Sequence, residues 1–291
     1  MRITTNMMVN QAMRDMNASL RRLQELQAQI ASGKRLRSAG DDPFAAEQAI
    51  GMRSVLRANE TYQTGINLAS SWLSATEEAL NTVTDVMSRV SVLAVSAVND
   101  TIGQSERDAI ASEVEELLAH VVQSGNTQHQ GRYIFGGFQT DSEPFTLEAD
   151  LTVTYHGDQG AILREISPGE TMQINFAGDD VLADVCVALR EFADALRTDP
   201  GAINGCRDAL ENASDHVAAL VAIVGTRVHN LEERQERLTA VDTSVREQLS
   251  KVEDIDLAEA IMNLTNQQTS YQALLQVAAD LPLVTLFEYL R

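Results

Sequence analysis

The chain has 291 residues, with 22 Lys+Arg against 42 Asp+Glu and a formal net charge of −20. That charge repels nucleic-acid phosphates and anionic membrane surfaces, and Lys34 and Lys251 are the only lysines. Aromatic residues make up only 4% and prolines number five, so the composition excludes a thick aromatic core and allows long helices with thin aliphatic seams.

The first helix is expected over about 8–31. Met13, Met16, Leu20, Leu23, Gln27 and Ile30 follow a 3-4-3-4-3 spacing, a heptad seam with one polar layer. Ser32-Gly33-Lys34-Arg35-Leu36-Arg37-Ser38-Ala39-Gly40 breaks it. Asp42 suits the N-cap of the next helix and Pro43 its first position. That helix, 44–99, carries an unbroken seam of Tyr62, Ile66, Ala69, Leu73, Thr76, Leu80, Val83, Met87, Val90, Ala94 and Ala97. It would run about 84 Å at 1.5 Å per residue. A turn at Asn99-Asp100-Thr101-Ile102-Gly103 and a third helix near 105–129 follow, with Ile110, Val114, Leu117 and Val121 on one face.

The middle changes character. Seven of the 16 glycines fall within 131–178. Leu151–Tyr155, Ile162–Ile166 and Met172–Phe176 read as short strands, with turns at Gly157-Asp158-Gln159-Gly160 and Ser167-Pro168-Gly169. These features predict a small β-hairpin insert in a helical protein. Helices near 180–197 and 202–250 return, separated by Asp199-Pro200-Gly201. Near the end, Ile261, Leu264, Gln268, Tyr271, Leu275 and Ala278 repeat the 3-4-3-4-3 spacing of the first helix.

The fold class expected is mainly α: an elongated long-helix bundle whose two terminal helices pair as a coiled coil, plus the small β insert. The divisions expected are a terminal coiled coil (1–42 with 250–291), a helical bundle (43–132 with 198–249) and an outer β-rich part with one helix (133–197). Residues 1–57 hold nine basic and five acidic residues, and the last stretch, 239–291, holds three and eight. The basic start and acidic end are complementary, and Gln27 beside Gln268 would fix the register. The twelve seam residues of the two ends are the candidate assembly interface: they order either within the chain or against neighbouring subunits.

No catalytic, cofactor or metal site is expected, and the chain reads as a non-enzyme. His120, His129, His156, His216 and His229 show no ligand spacing, and no phosphate loop, dinucleotide fingerprint or nucleophile elbow occurs. His156-Gly157-Asp158 reads as a hairpin turn. Cys186 and Cys206 flank the turn near 200 at unequal distances, so two small buried hydrophobes are favoured over a disulfide. No apolar run reaches the roughly 18 residues that span a bilayer. No cleavable signal is evident at the start. On pattern alone, a cytosolic coiled-coil adaptor also fits.

Several blocks carry a resemblance. They are Ile3-Thr4-Thr5-Asn6-Met7-Met8, Ala31-Ser32-Gly33-Lys34-Arg35, Ser38-Ala39-Gly40-Asp41-Asp42-Pro43 and Gly131-Arg132-Tyr133-Ile134-Phe135-Gly136-Gly137. Val224-Gly225-Thr226-Arg227 through Leu231 and Glu253-Asp254-Ile255-Asp256-Leu257-Ala258-Glu259-Ala260 complete the set. In order, these resemble the flagellin superfamily, and within it the family of bacterial hook–filament junction proteins, the third hook-associated proteins. Val277-Ala278-Ala279-Asp280 departs from the superfamily's usual Gln-Ala-Asn pattern, and Trp72 and the two cysteines are atypical of flagellins. The tail, Leu286 to Leu290, is similar to the junction family rather than to filament flagellins. A divergent flagellin is the alternative. The resemblance implies a structural axial protein of the flagellum, located outside the cell and exported without a cleavable signal. Its implied partners are the first hook-associated protein, flagellin, its own copies in a ring at the junction, and a cytoplasmic export chaperone.

Overall fold

A computed structural model describes residues 5–98 and 102–289, with side chains for 7–98, 102–199 and 201–279. Ile3, Thr4, the Asn99-Asp100-Thr101 turn and Leu290 lie outside the described residues, as do the side chains from Asp280 onward. Six helices are described: α1 (Thr5–Ser32), α2 (Pro43–Ala97), α3 (Gln104–Gly125), α4 (Gly178–Thr198), α5 (Ile203–Glu253) and α6 (Leu257–Tyr289). Between α3 and α4 lie six short strands: β1 (Gln128–His129), β2 (Arg132–Tyr133), β3 (Phe145–Leu147), β4 (Val153–Tyr155), β5 (Leu163–Ser167) and β6 (Glu170–Gln173).

Local chemistry sets the helix ends. Gly33 ends α1 with φ +68°, a left-handed conformation that glycine adopts without cost. Asp42 caps α2, its carboxylate accepting from the Ala45 amide at 3.0 Å, and Pro43 occupies the first helical position, where no amide is needed. Asp256 caps α6 in the same way, accepting from the amides of Ala258 (2.9 Å) and Glu259 (3.2 Å).

The residues fall into two units, 1–58 with 241–291 and 59–240. In the second unit the α2 seam behaves as its spacing predicts. Tyr62 is half-buried, and Ile66, Ala69, Leu73, Thr76, Leu80, Val83, Met87, Val90, Ala94 and Ala97 are all buried. Thr76, the polar member, donates its hydroxyl to the Trp72 carbonyl at 3.0 Å, so its own donor is paired within the core. The same core includes Val114, Leu118 and Val121 of α3, Leu189 and Phe192 of α4, Leu210 and Val217 of α5, and Phe135, Phe145, Ile166 and Ile174 of the β region. The β region and the helices of this unit therefore share one core.

Strand pairing departs from the expected order. Val153–Tyr155 pairs back with Phe145–Leu147, and Leu163–Ser167 pairs with Glu170–Gln173. The segment 156–160 thus joins two separate hairpins and is not itself a hairpin turn. The Asp158 carboxylate holds it, accepting from the amides of Phe138 (2.7 Å) and Gly160 (2.8 Å). The third helix also stops earlier than 129. Residues 128–129 and 132–133 form a hairpin around Gln130 (φ 52°) and Gly131 (φ 78°), the positive-φ pair of a type I′ turn.

The β5–β6 hairpin is stapled to the helices. Arg234 pairs with Glu170, and Arg227 donates to the Gln173 carbonyl at 2.9 Å with its guanidinium 4.7 Å from the Phe176 ring centroid. Gly65 of α2 is the seat: a Cβ there would lie 2.6 Å from the Glu165 backbone oxygen. Gly65→Ala should gain about 1 kcal/mol of helix propensity yet lose about 1–3 kcal/mol to overpacking against backbone that cannot rotate away. Net destabilisation in urea is the expected outcome. A stabilised variant would show that the hairpin moves aside freely.

Candidate assembly surface

In the first unit, α1 and α6 pack against each other. Two long-range contacts set an antiparallel register. The Gln267 amide donates to the Ser19 hydroxyl at 2.8 Å, and the Lys34 ammonium meets the Asp254 carboxylate at 2.6 Å. The stripe shielded on α1 is Ala12, Met16, Ser19, Leu23, Leu26 and Ile30; on α6 it is Ala260, Leu264, Gln267, Tyr271, Leu274 and Ala278.

The predicted seams are therefore divided. Met16, Leu23, Ile30, Leu264, Tyr271 and Ala278 are half-buried in the pair, whereas Met13, Leu20, Gln27, Ile261, Gln268 and Leu275 are exposed. The expected Gln27–Gln268 layer does not form. The register places Gln268 beside Ser19, about two turns from Gln27. Ser19 and Gln267 make the polar layer instead. The reason is size: Ala12, Ser19 and Ala260 let the backbones approach, so the contact rotates by one residue and turns the bulkier Met13, Leu20 and Ile261 outward. Each helix thereby carries a second row, spaced by seven residues, with its apolar members uncovered. Met13 and Ile261 are each 53% exposed.

An ion-pair junction closes one end of this pair. Glu253, the last residue of α5, has a side chain only 3% exposed, and its carboxylate meets Arg53 of α2 at 2.8 Å and Lys34 at 3.3 Å. The Glu253 carbonyl accepts from the amides of Arg35 (2.6 Å) and Leu36 (3.4 Å), and the Gly33 carbonyl accepts from the Ile255 amide at 3.1 Å. The Asp254 carboxylate takes both the Lys34 ammonium and the Ser250 hydroxyl, each at 2.6 Å.

Among the described residues, no cluster of His, Cys, Asp or Glu is arranged to hold a metal ion, and no helix is long and apolar enough to cross a membrane. Cys186 and Cys206 are both free; burial pushes the Cys186 thiol up to about 12.

The family described as bacterial flagellin N-terminal helical region matches residues 3–140, and that described as bacterial flagellin C-terminal helical region matches 208–290. The chain belongs to the flagellin superfamily. Flagellar hook-associated protein 3 of Salmonella typhimurium is 25% identical over 317 residues, covering 99% of both chains. The crystal structure of Bacillus cereus FlgL superposes with a TM-score of 0.62 at 26% identity, over 69% of this chain and 99% of that one. A putative flagellar hook-associated protein from Vibrio parahaemolyticus shares the fold, with a TM-score of 0.66 at 18% identity over 74% of this chain and 100% of that one.

In this flagellin-superfamily chain, two of the motif blocks meet in space. Ser32-Gly33-Lys34-Arg35 and Glu253-Asp254-Ile255-Asp256 form the junction between α1, α5 and α6. Arg53, which no motif includes, supplies its closest contact to the buried carboxylate. The signal for Arg53 was weak because a lone exposed arginine on a helix looks like any solvated residue.

The junction predicts a pH profile. Its hydrogen bonds to Lys34 and Ser250 hold Asp254 below the ordinary 3.8, so its contribution is present above that value and fades as pH falls through the depressed pKa. The hydrogen bond to Asp254 raises Lys34 above the ordinary 10.5, so its contribution is present below that value and fades as pH rises through the raised pKa. Hydrogen-exchange protection factors of α1 and α6, with the intrinsic pH dependence of exchange divided out, should show a plateau between these limits and loosening outside them. A slope across pH 6–9 would contradict this.

Proposed function

We propose that this chain is a structural axial protein of the bacterial flagellum that joins the hook to the flagellin filament. One observation carries the reading: the terminal helices satisfy each other through one stripe and leave a second heptad row uncovered, with Met13, Leu20, Ile261 and Leu275 as its apolar members. A helix pair complete in itself would not leave a regular heptad row of aliphatic residues uncovered. A pair built to pack beside identical and related pairs keeps a second apolar flank. Full-length similarity to a hook-associated protein 3 supports the junction position.

On this reading the twelve seam residues act in two sets. The six half-buried ones hold the pair together, and the six exposed ones meet neighbouring subunits. The terminal pair, 1–42 with 250–291, makes the assembly contacts; 43–132 with 198–249 and 133–197 are the helical-bundle and β-rich parts of the same subunit. The first hook-associated protein lies on one side and flagellin on the other, with further copies of this chain closing a ring. The chain works outside the cell. Before export, a cytoplasmic chaperone holds it, and its role is structural rather than enzymatic.

The test is deletion. A strain lacking this chain should carry hooks without filaments and release unpolymerised flagellin into the medium. Loss of filaments without released flagellin would overturn the junction role; so would loss of the filament subunit itself, which is the outcome for a divergent flagellin.

A further inference from the structure

The second unit contains a groove that lies apart from the terminal-helix seams. It has a volume of about 540 Å³ and is lined by Leu68 and Trp72 of α2, His129 and Arg132 of the β1–β2 hairpin, Phe138, and the start of β5 around Arg164. Three features single it out. No acidic residue lines it, in a chain whose net charge is −20. Arg132 and Arg164 are exposed, and neither forms an ion pair among the described residues. Phe138 is 65% exposed at the rim, while Trp72 forms part of the wall with its ring edge-on to His129 and its indole N–H without a partner.

The complement lies on α5. Asp208, Glu211 and Asp215 are exposed and stand three and four residues apart, so their carboxylates share one helix face. None has an ion-pair partner among the described residues. Like charges at these spacings repel, and the repulsion is relieved when cations from outside lie against them.

We infer that the Trp72–Arg132–Arg164 groove receives the Asp208–Glu211–Asp215 face of a second copy of this chain. The two surfaces differ, so the contact is head-to-tail. Repeated, it produces a ring or a helical row rather than a closed dimer. The inference rests on the proposed axial role and names one surface through which copies meet. Charge complementarity sets orientation and register, while Phe138 and Leu163 supply apolar contact at the rim.

The experiment places the photo-reactive p-benzoylphenylalanine at position 138 in the full chain, in flagellated cells. Illumination should give a covalent homodimer, with the cross-link mapping near residues 208–215. Arg132→Glu with Arg164→Glu should lower the yield at least tenfold. Adding Asp208→Lys, Glu211→Lys and Asp215→Lys to that chain should restore it, which a simple folding defect would not allow. A cross-link to flagellin or another protein, or a yield indifferent to charge reversal, overturns the inference and leaves the axial role standing. A chain absent from the flagellum overturns both.

Discussion

Replacing Lys34 and Arg53 together with Ala should destabilise the terminal unit by about 3 kcal/mol. Breaking a buried ion pair by removing one side costs about 3–5 kcal/mol, because the remaining charge stays out of water without compensation. Here the remaining charge is Glu253, 3% exposed, while the two cations are 43% and 58% exposed. Water already solvates part of each cation, so the low end of the range applies. The loss should be local. The amides of Arg35, Leu36 and Ile255, which bond across the junction, should lose their exchange protection first. Adding Glu253→Gln should recover more than half of the stability, since a neutral amide no longer needs the cations. A change under about 0.5 kcal/mol, the size of an ordinary surface substitution, would show that backbone hydrogen bonds hold the junction and the ion pairs are incidental.

The second large effect concerns assembly rather than folding. Leu20→Asp with Ile261→Asp changes two exposed residues on the outer row, 37% and 53% accessible. Neither lies in the stripe between α1 and α6, so folding stability should stay within about 0.5 kcal/mol. Motility should nevertheless be lost, because a carboxylate pressed into an apolar subunit contact cannot be desolvated without a partner. Leu23→Asp behaves differently. Leu23 is half-buried in the pair, so the same change should loosen α1 and α6 as well as block assembly, while the helices of the second unit keep their stability. The comparison separates the two rows: equal helix loss in both variants would mean that the outer row also stabilises the single chain.

The helices were legible because their seams were long. The α2 pattern from Tyr62 to Ala97 offers one consistent face, and the structure buries it. The terminal seams were legible only by half. On α1, the stripe through Ala12, Ser19 and Leu26 and that through Met13, Leu20 and Gln27 are one residue, about 100°, apart. Hydrophobicity favours Met13 and Leu20 over their neighbours Ala12 and Ser19. Close backbone approach and the Ser19–Gln267 hydrogen bond favour the other stripe, and that preference appears only with the partner helix in place. In the insert, the strands were visible but their partners were not. Leu151–Tyr155 could pair forward across Gly157–Gly160 or back to residue 145, and the shared core with Phe145 and Ile174 decides it. Asp42 and Asp256 announce helix starts locally. The ion-pair junction does not, because its members are about 200 residues apart in sequence.

On the proposed function, the outer row of the terminal pair is what the assembled flagellum covers. The most direct measurement is the amount of flagellin in the spent medium of a strain whose only copy of this chain carries Leu20→Asp and Ile261→Asp. Release comparable to that of the deletion strain is expected, from a variant chain that is folded and exported. Normal filaments, with flagellin in the medium no higher than in the parent strain, would contradict it.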